Sequence, residues 1–200
     1  MEIIYFKEIE STQKYLLENL KPNICIWSEY QTAGIGSRGR SWISEKGNLF
    51  FSFSILKKEL PTDIPLQSIS IYYMYQLKLI LNSLGSKVKF KWPNDLYLEN
   101  KVAGIITNIK NDIIIIGIGL NTKISENFEA LDIEISNEDI LNEYFKYLYK
   151  KITWKEIFKK YKKEFYKNKF ITSNDIDLSK AILNEDGSIQ INNERIYSLR

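Results

Sequence analysis

The sequence predicts a domain that mixes helices and strands and carries a small β appendage. Three observations predict it. Strand-like segments, with apolar residues two apart, are interspersed with helix-like segments whose apolar residues lie three or four apart. The chain has 200 residues, enough to bury one core without disulfides or metals. From about Thr172 only short strand-like pieces remain. Roughly 25 residues cannot build a core of their own, so this end must pack on the main body. The expected division is a main domain over 1–171 and a short β domain over 172–200.

Taken in order, Glu2 to Phe6 reads as a short strand. Ser11 can cap a helix running to about Leu20, with Tyr15, Leu16 and Leu20 as its apolar stripe. Ile24 to Ser28 is a strand, and 31–41 is a loop with three glycines. Asn48 to Leu56 alternates aromatic and small residues, a strand pattern. Ile64 to Leu84 is the longest helix candidate, closed by Gly85. Strands follow at Lys87 to Trp92, Asp95 to Leu98, Val102 to Ile109 and Ile113 to Leu120, with Asn111-Asp112 as a hairpin turn between the last two. Helices are expected over Asn137 to Lys150 and Trp154 to Asn168. The second sets Trp154, Ile157, Phe158, Tyr161 and Phe165 against a lysine face, read as a core helix with a solvated side or as a docking patch for an acidic partner. The appendage offers Lys180 to Leu183, a turn at Glu185-Asp186-Gly187, then Ile189 to Ile191 and Glu194 to Leu199.

Composition narrows the chemistry. Hydrophobic residues make up 44% and charged residues 26%, which excludes a disordered or low-complexity chain. The net charge of +3 is too mild to argue for nucleic acid. Histidine is absent, so Ser-His-Asp and Cys-His catalysis and histidine metal sites are excluded. The single cysteine, Cys25, flanked by isoleucines, reads as a small buried hydrophobe. The first residues lack a signal-peptide pattern, and no uncharged apolar run reaches the ~18 residues of a membrane span. A cytoplasmic protein with no membrane partner is expected.

Four segments carry chemistry. In 31–42, Gly34, Gly36 and Gly39 let backbone N–H groups approach a ligand, Arg38 and Arg40 offer forked donors, and Trp42 a flat face. A dinucleotide loop has similar glycine spacing, but it opens a helix, and this loop runs toward a strand. In Lys91-Trp92-Pro93-Asn94-Asp95, Pro93 holds Trp92 extended and a turn projects Lys91 and Asp95; a simple surface pair of the two is the structural alternative. In Lys101-Val102-Ala103-Gly104, the ammonium lies beside a glycine where a ligand can reach the backbone. In Gly117-Ile118-Gly119-Leu120-Asn121, two strand glycines cost roughly 0.5–1 kcal/mol each, which suggests that something flat lies on that face. Such a set suits phosphoryl chemistry by electrostatics: cations neutralise phosphate oxygens and an acid holds Mg²⁺.

These segments, with Ser11-Thr12-Gln13 before them, resemble in residue pattern and order the biotin–protein ligases. The likeness covers about residues 5–125 and touches the end at Ile196-Tyr197-Ser198-Leu199-Arg200. It implies a mixed-sheet α/β catalytic domain related to class II aminoacyl-tRNA synthetases, followed by a reduced SH3-like β domain. It implies that biotin and ATP give biotinyl-5′-AMP and pyrophosphate, and that the acyl group passes to a lysine of a biotin carboxyl carrier protein. By motif position, Ser11, Thr12, Gln13 and Gln31 belong to the biotin contacts. The backbone of Gly34, Ile35, Gly36 and Ser37 closes over biotin and the acyl phosphate, shielding the adenylate from water. Lys101 bridges the biotin carboxylate and the α-phosphate, a contact worth up to about 4 kcal/mol before desolvation. Arg38, Arg40, Lys91 and Asn94 attend the phosphate and adenylate, and Trp42 and Asn121 the adenine. Asp95 positions the acceptor lysine or Mg²⁺. Gly104, Gly117 and Gly119 form a flat floor.

Three departures carry expectations. Ile35 and Ser37 stand where many relatives have arginines, which weakens the hold on the adenylate. Gln13 replaces a common asparagine. The C-terminal part is short, which reduces its role in ATP binding and carrier docking. No N-terminal winged helix precedes the motifs, so no operator-DNA binding is expected, and a homodimer through an exposed sheet edge stays open. The rival readings are a lipoate or octanoate ligase, whose families carry a histidine motif that this chain lacks, and a non-catalytic adenylate- or nucleic-acid-binding module.

Overall fold

The computed structural model describes residues 1–168, 170 and 176–197. Its centre is a seven-stranded sheet. The strands are β1 (Glu2–Phe6), β2 (Ile24–Ser28), β5 (Leu49–Leu56), β6 (Lys89–Lys91), β7 (Asp95–Tyr97), β8 (Lys101–Lys110) and β9 (Ile113–Leu120), in the spatial order β1-β2-β5-β9-β8-β7-β6. β1 and β2 run parallel and every other pair antiparallel. The sheet is therefore mixed, as the resemblance implies.

Side-chain alternation divides the sheet into two faces. Phe51, Phe53 and Ile55 of β5, with Ile114, Ile116, Ile118 and Leu120 of β9, face the large core. Three helices cover them: α2 (Ile69–Ser83), α3 (Asn137–Leu148) and α4 (Trp154–Lys167). Glu164 of α4 ties the layers together. It takes hydrogen bonds from Tyr75 Oη at 2.9 Å and the Phe90 backbone N–H at 3.0 Å, and pairs with Lys78 at 2.6 Å. On the opposite face, α1 (Thr12–Glu18) covers Ile24, Ile26, Ile113 and Ile115 through Leu16. It leaves bare the part of that face where β5, β8 and β9 present Ser52, Gly104, Gly117 and Gly119.

The chain order matches the sequence pattern, with local corrections. The long helix begins at Ile69, not Ile64, because Pro65 caps a separate 3₁₀ turn over Leu66–Ser68. The strand expected over 87–92 is confined to Lys89–Lys91. The one expected from Val102 is longer at both ends, spanning Lys101–Lys110. Segment 31–41 is not all loop: β3 (Gly34–Ile35) and β4 (Ser41–Trp42) pair as a hairpin around a 3₁₀ turn at Ser37–Gly39. Asn111 and Asp112 both take positive φ, 50° and 59°, as the β8–β9 hairpin turn requires. Cys25 is fully buried, and burial raises its thiol pKa well above the ordinary value.

The C-terminal sheet contains β10 (Ile182–Leu183), β11 (Ile189–Ile191) and β12 (Glu194–Ile196). Leu183 and Ile189 join the main core. Two tryptophans donate to its turn, Trp92 Nε1 to Gly187 O at 2.9 Å and Trp154 Nε1 to Glu185 O at 2.8 Å. The Asp186 carboxylate accepts from Gln67, Ser188 and Arg195. Burial pushes its pKa up, but these hydrogen bonds outweigh it and hold it down to about 2. The expected boundary at 171/172 and the residues Ser198 to Arg200 lie outside the described residues.

Candidate active site

The bare part of the sheet is the floor of a cleft of about 680 Å³, its solvent-open space included. α1 closes one end, the β3–β4 hairpin stands over the middle, and the β6–β7 turn forms the other rim.

The closed end is built of uncharged hydrogen-bonding groups. Ser11 is the N-cap of α1, its hydroxyl accepting from the Lys14 N–H at 3.3 Å. The following residues are therefore delivered at the helix start, facing the sheet. Thr12 donates its backbone N–H to Gln31 Oε1 at 2.8 Å and its hydroxyl lies 2.8 Å from Ser52 Oγ. A backbone N–H can only donate, so Gln31 must turn its oxygen toward Thr12. Gln31 is held by backbone pairing: Ile9 bridges to it, and Thr32 and Ala33 donate to Ile9 O and Glu10 O. Gln13 is buried and donates Nε2 to Asn108 Oδ1 at 2.9 Å and to Ile115 O at 3.4 Å.

The floor is flat because it lacks Cβ atoms. Gly104 and Gly119 are partners across β8 and β9. A Cβ at Gly119 would lie 2.6 Å from the Trp42 indole, and one at Gly104 2.8 Å from it. The flat object on these glycines in this structure is Trp42 itself. A Cβ at Gly117 would collide with Gln13 Oε1.

The open rim carries the charge. Lys101 and Asp95 form an ion pair at 2.8 Å, and the Lys101 ammonium stands 5.1 Å from the centre of the Trp42 ring. Lys101 Nζ would be 3.0 Å from a Cβ at Gly104, so the lysine does lie beside the glycine of its own strand. Asp95 thus pairs with Lys101, and the alternative of a Lys91–Asp95 surface pair is corrected. The reason is side-chain direction: Lys91 stands opposite Asp95 across β6 and β7, but its ammonium turns to the Tyr97 ring and leaves the carboxylate to Lys101. Asn94 is clamped to β8 by reciprocal bonds with Ile105. Arg40 folds onto the hairpin turn, donating to Ser37 O at 3.2 Å and Ser37 Oγ at 2.8 Å. Ser37 brings no charge, but it orients one.

Of the residues singled out from sequence, the cleft brings together Ser11, Thr12, Gln13, Gln31, Ile35, Gly36, Ser37, Arg40, Trp42, Asn94, Asp95, Lys101, Gly104, Gly117 and Gly119. Five others stand apart from its lining, Gly39 among them in a neighbouring recess. Gly34 is buried, pairing with Trp42. Arg38 lines a neighbouring recess with Asn94 and Thr107. Lys91 packs its ammonium 4.4 Å from the Tyr97 ring centre. Burial pulls its pKa below the ordinary lysine value, Asp95 acting against this and Lys101 with it. Asn121, expected toward adenine, instead binds Glu129 O through Nδ2 at 3.1 Å. Ser52, Ser41, Ile105, Ile106 and Ile118 line the cleft and were not singled out. The signal for Ser52 was its place between two phenylalanines on β5, which turns it to the face of Gly117. Among the described residues no group of three or more His, Cys, Asp or Glu could hold a metal ion, and no helix is long and apolar enough to cross a membrane.

Residues 5–121 match the Biotin/lipoate A/B protein ligase family. The bifunctional ligase/repressor BirA of Escherichia coli is 38% identical over 124 residues, 56% of this chain and 38% of that protein. The chain thus spans about two fifths of the length of that curated relative. The crystal structure of biotin acetyl coenzyme A carboxylase synthetase from Helicobacter pylori with bound biotinylated ATP superposes with a TM-score of 0.93 at 37% identity, over 98% of this chain and 99% of that one. Biotin protein ligase from Aquifex aeolicus in complex with biotin and ATP gives 0.78 at 25% identity, over 100% and 96%.

Proposed function

The chain belongs to the biotin/lipoate A/B protein ligase family, and from that premise we propose that it activates biotin with ATP and passes it to a lysine of a biotin carboxyl carrier protein of acetyl-CoA carboxylase. The observation that carries the reading is the two-ended cleft. One end offers neutral acceptors and hydroxyls that suit a cyclic urea, and the other a lysine, a carboxylate and an arginine around a glycine floor. Two solved neighbours that cover nearly the whole chain hold biotin with ATP or its biotinylated form. They favour biotin over lipoate or octanoate.

In the first step a biotin carboxylate oxygen attacks the α-phosphorus and the bond to pyrophosphate breaks. Both partners are anions, so a cation between them lowers the barrier by charge neutralisation. Lys101 is that cation: Asp95 and the Trp42 face hold it over the floor beside Gly104. Arg40, tethered by Ser37, takes a phosphate oxygen. Mg²⁺ comes with the nucleotide, because Asp95 is the one carboxylate of the cleft lining and is already paired. In the second step the acceptor amine attacks the acyl carbon and AMP leaves. Asp95, at the open rim, is placed to draw the incoming ammonium. The β3–β4 hairpin shields the mixed anhydride from water.

ATP–pyrophosphate exchange tests the reading, with biotin, lipoate and octanoate compared. Exchange that depends on biotin, followed by a biotinyl mass increase on a carrier domain, is expected. Exchange with lipoate or octanoate instead, or with none of the three, contradicts it.

A further inference from the structure

We propose that Asn108, on the β8 strand outside the segments singled out from sequence, is a positioning residue that fixes how Gln13 presents itself to the ligand. The inference rests on the biotin reading above and deepens it.

Gln13 is 3% exposed, so its amide must find partners inside the protein. Its Nε2 points at two oxygens, Asn108 Oδ1 at 2.9 Å and the Ile115 carbonyl at 3.4 Å. A carbonyl can only accept, so the NH₂ must lie on that side and Oε1 on the other. The longer contact to Ile115 is weak, and the shorter one to Asn108 supplies most of the hold. Oε1 is then left buried with no hydrogen-bond partner, directly over Gly117 on the cleft floor. An unpaired buried acceptor costs free energy unless something donates to it. The neighbouring groups do not: the Thr12 hydroxyl donates to Gln31 Oε1, Ser52 then donates to Thr12, and Gln31 Nε2 is turned toward Gly34. The absent donor therefore comes with the ligand, and one N–H of a cyclic urea has the right chemistry.

Were the amide reversed, NH₂ would face the floor and repel that N–H. Asn108 is itself exposed and does not line the cleft; it lines the neighbouring recess with Gly36, Ser37 and Arg38. It acts only by keeping the acceptor turned inward. The device also accounts for a glutamine at this place: the longer side chain reaches across β9 to β8, and Gly117 leaves room for it.

The test measures biotin-dependent ATP–pyrophosphate exchange in the unaltered protein, Asn108→Leu and Asn108→Asp. A biotin derivative methylated at either ureido nitrogen serves as a second probe. Asn108→Leu is expected to raise the KM for biotin about 10-fold, with kcat and the KM for ATP unchanged. Asn108→Asp keeps an acceptor for Nε2 and is expected to restore the KM. The unaltered protein is expected to discriminate against one N-methyl derivative, and Asn108→Leu to lose most of that discrimination. An unchanged biotin KM in Asn108→Leu overturns the proposal, as does equal damage to kcat and the ATP KM. Absence of biotin-dependent exchange in the unaltered protein overturns the functional reading itself, and this proposal with it.

Discussion

The two ends of the cleft are built on different principles. At the closed end Thr12, Gln31 and Ser52 are hydrogen-bonded to one another and held by a helix N-cap, a strand and a backbone bridge. At the open rim Lys101 and Asp95 hold each other, Lys101 rests against the Trp42 ring and is 37% exposed, and Arg40 holds a hairpin turn. On the proposed reading, recognition rests on rigid elements and reaction chemistry on groups that can change partners. The ion pair of Lys101 with Asp95 is no stability device, since exposed pairs contribute little. On the proposed reading it keeps a cation poised until a ligand anion replaces the aspartate.

If the ends are separable in this way, damage to each has its own signature. The largest effect is expected at the rim. Lys101→Ala should lower the exchange rate about 10²–10³-fold with the fold intact, measured by pyrophosphate exchange beside circular dichroism. A smaller effect is expected at the closed end. Thr12→Val removes the hydroxyl bonds to Ser52 and Gln31, at a cost of about 1–3 kcal/mol. It should raise the KM for biotin about 5–100-fold and spare the ATP KM. The smallest effect on activity lies away from both ends. Asp186→Asn loosens the C-terminal sheet rather than the cleft. The Asp186 pKa falls from 3.8 unfolded to about 2 folded, so this carboxylate contributes ~2 kcal/mol above about pH 4 and loses it as pH falls through about 2. The substitution should lower Tm by about 4–8 °C at pH 7, with the deficit shrinking below pH 4, as scanning calorimetry at several pH values would record.

The same division decides what could be read from sequence. β5 was legible because apolar and small residues alternate along it, and β9 because an uncharged apolar run of its length suits a strand. The start of α1 was legible because Ser11 caps it. The β3–β4 hairpin was not, because strands of two residues carry no period. Pro65 marked the break before α2, but the apolar run through Ile64 and Leu66 masked it. At the site, local motifs placed Lys101 beside Gly104. Ser52 showed its face by its place between two phenylalanines but not its partner, and Asn108 was invisible, since these contacts arise from register across three strands and from the fit of Gln13 over Gly117. The placement of Asn121 outside the cleft lining was unreadable for a similar reason: its partner Glu129 comes from a later loop.

The central claim is that recognition and reaction reside at opposite ends of one cleft. Calorimetric titration of biotin into Lys101→Ala, beside Thr12→Val, tests it most directly. The account predicts that Lys101→Ala binds biotin within a few-fold of the unaltered protein while failing in exchange, and that Thr12→Val loses affinity but keeps most of its turnover. Parallel loss of binding and turnover in both variants would contradict it.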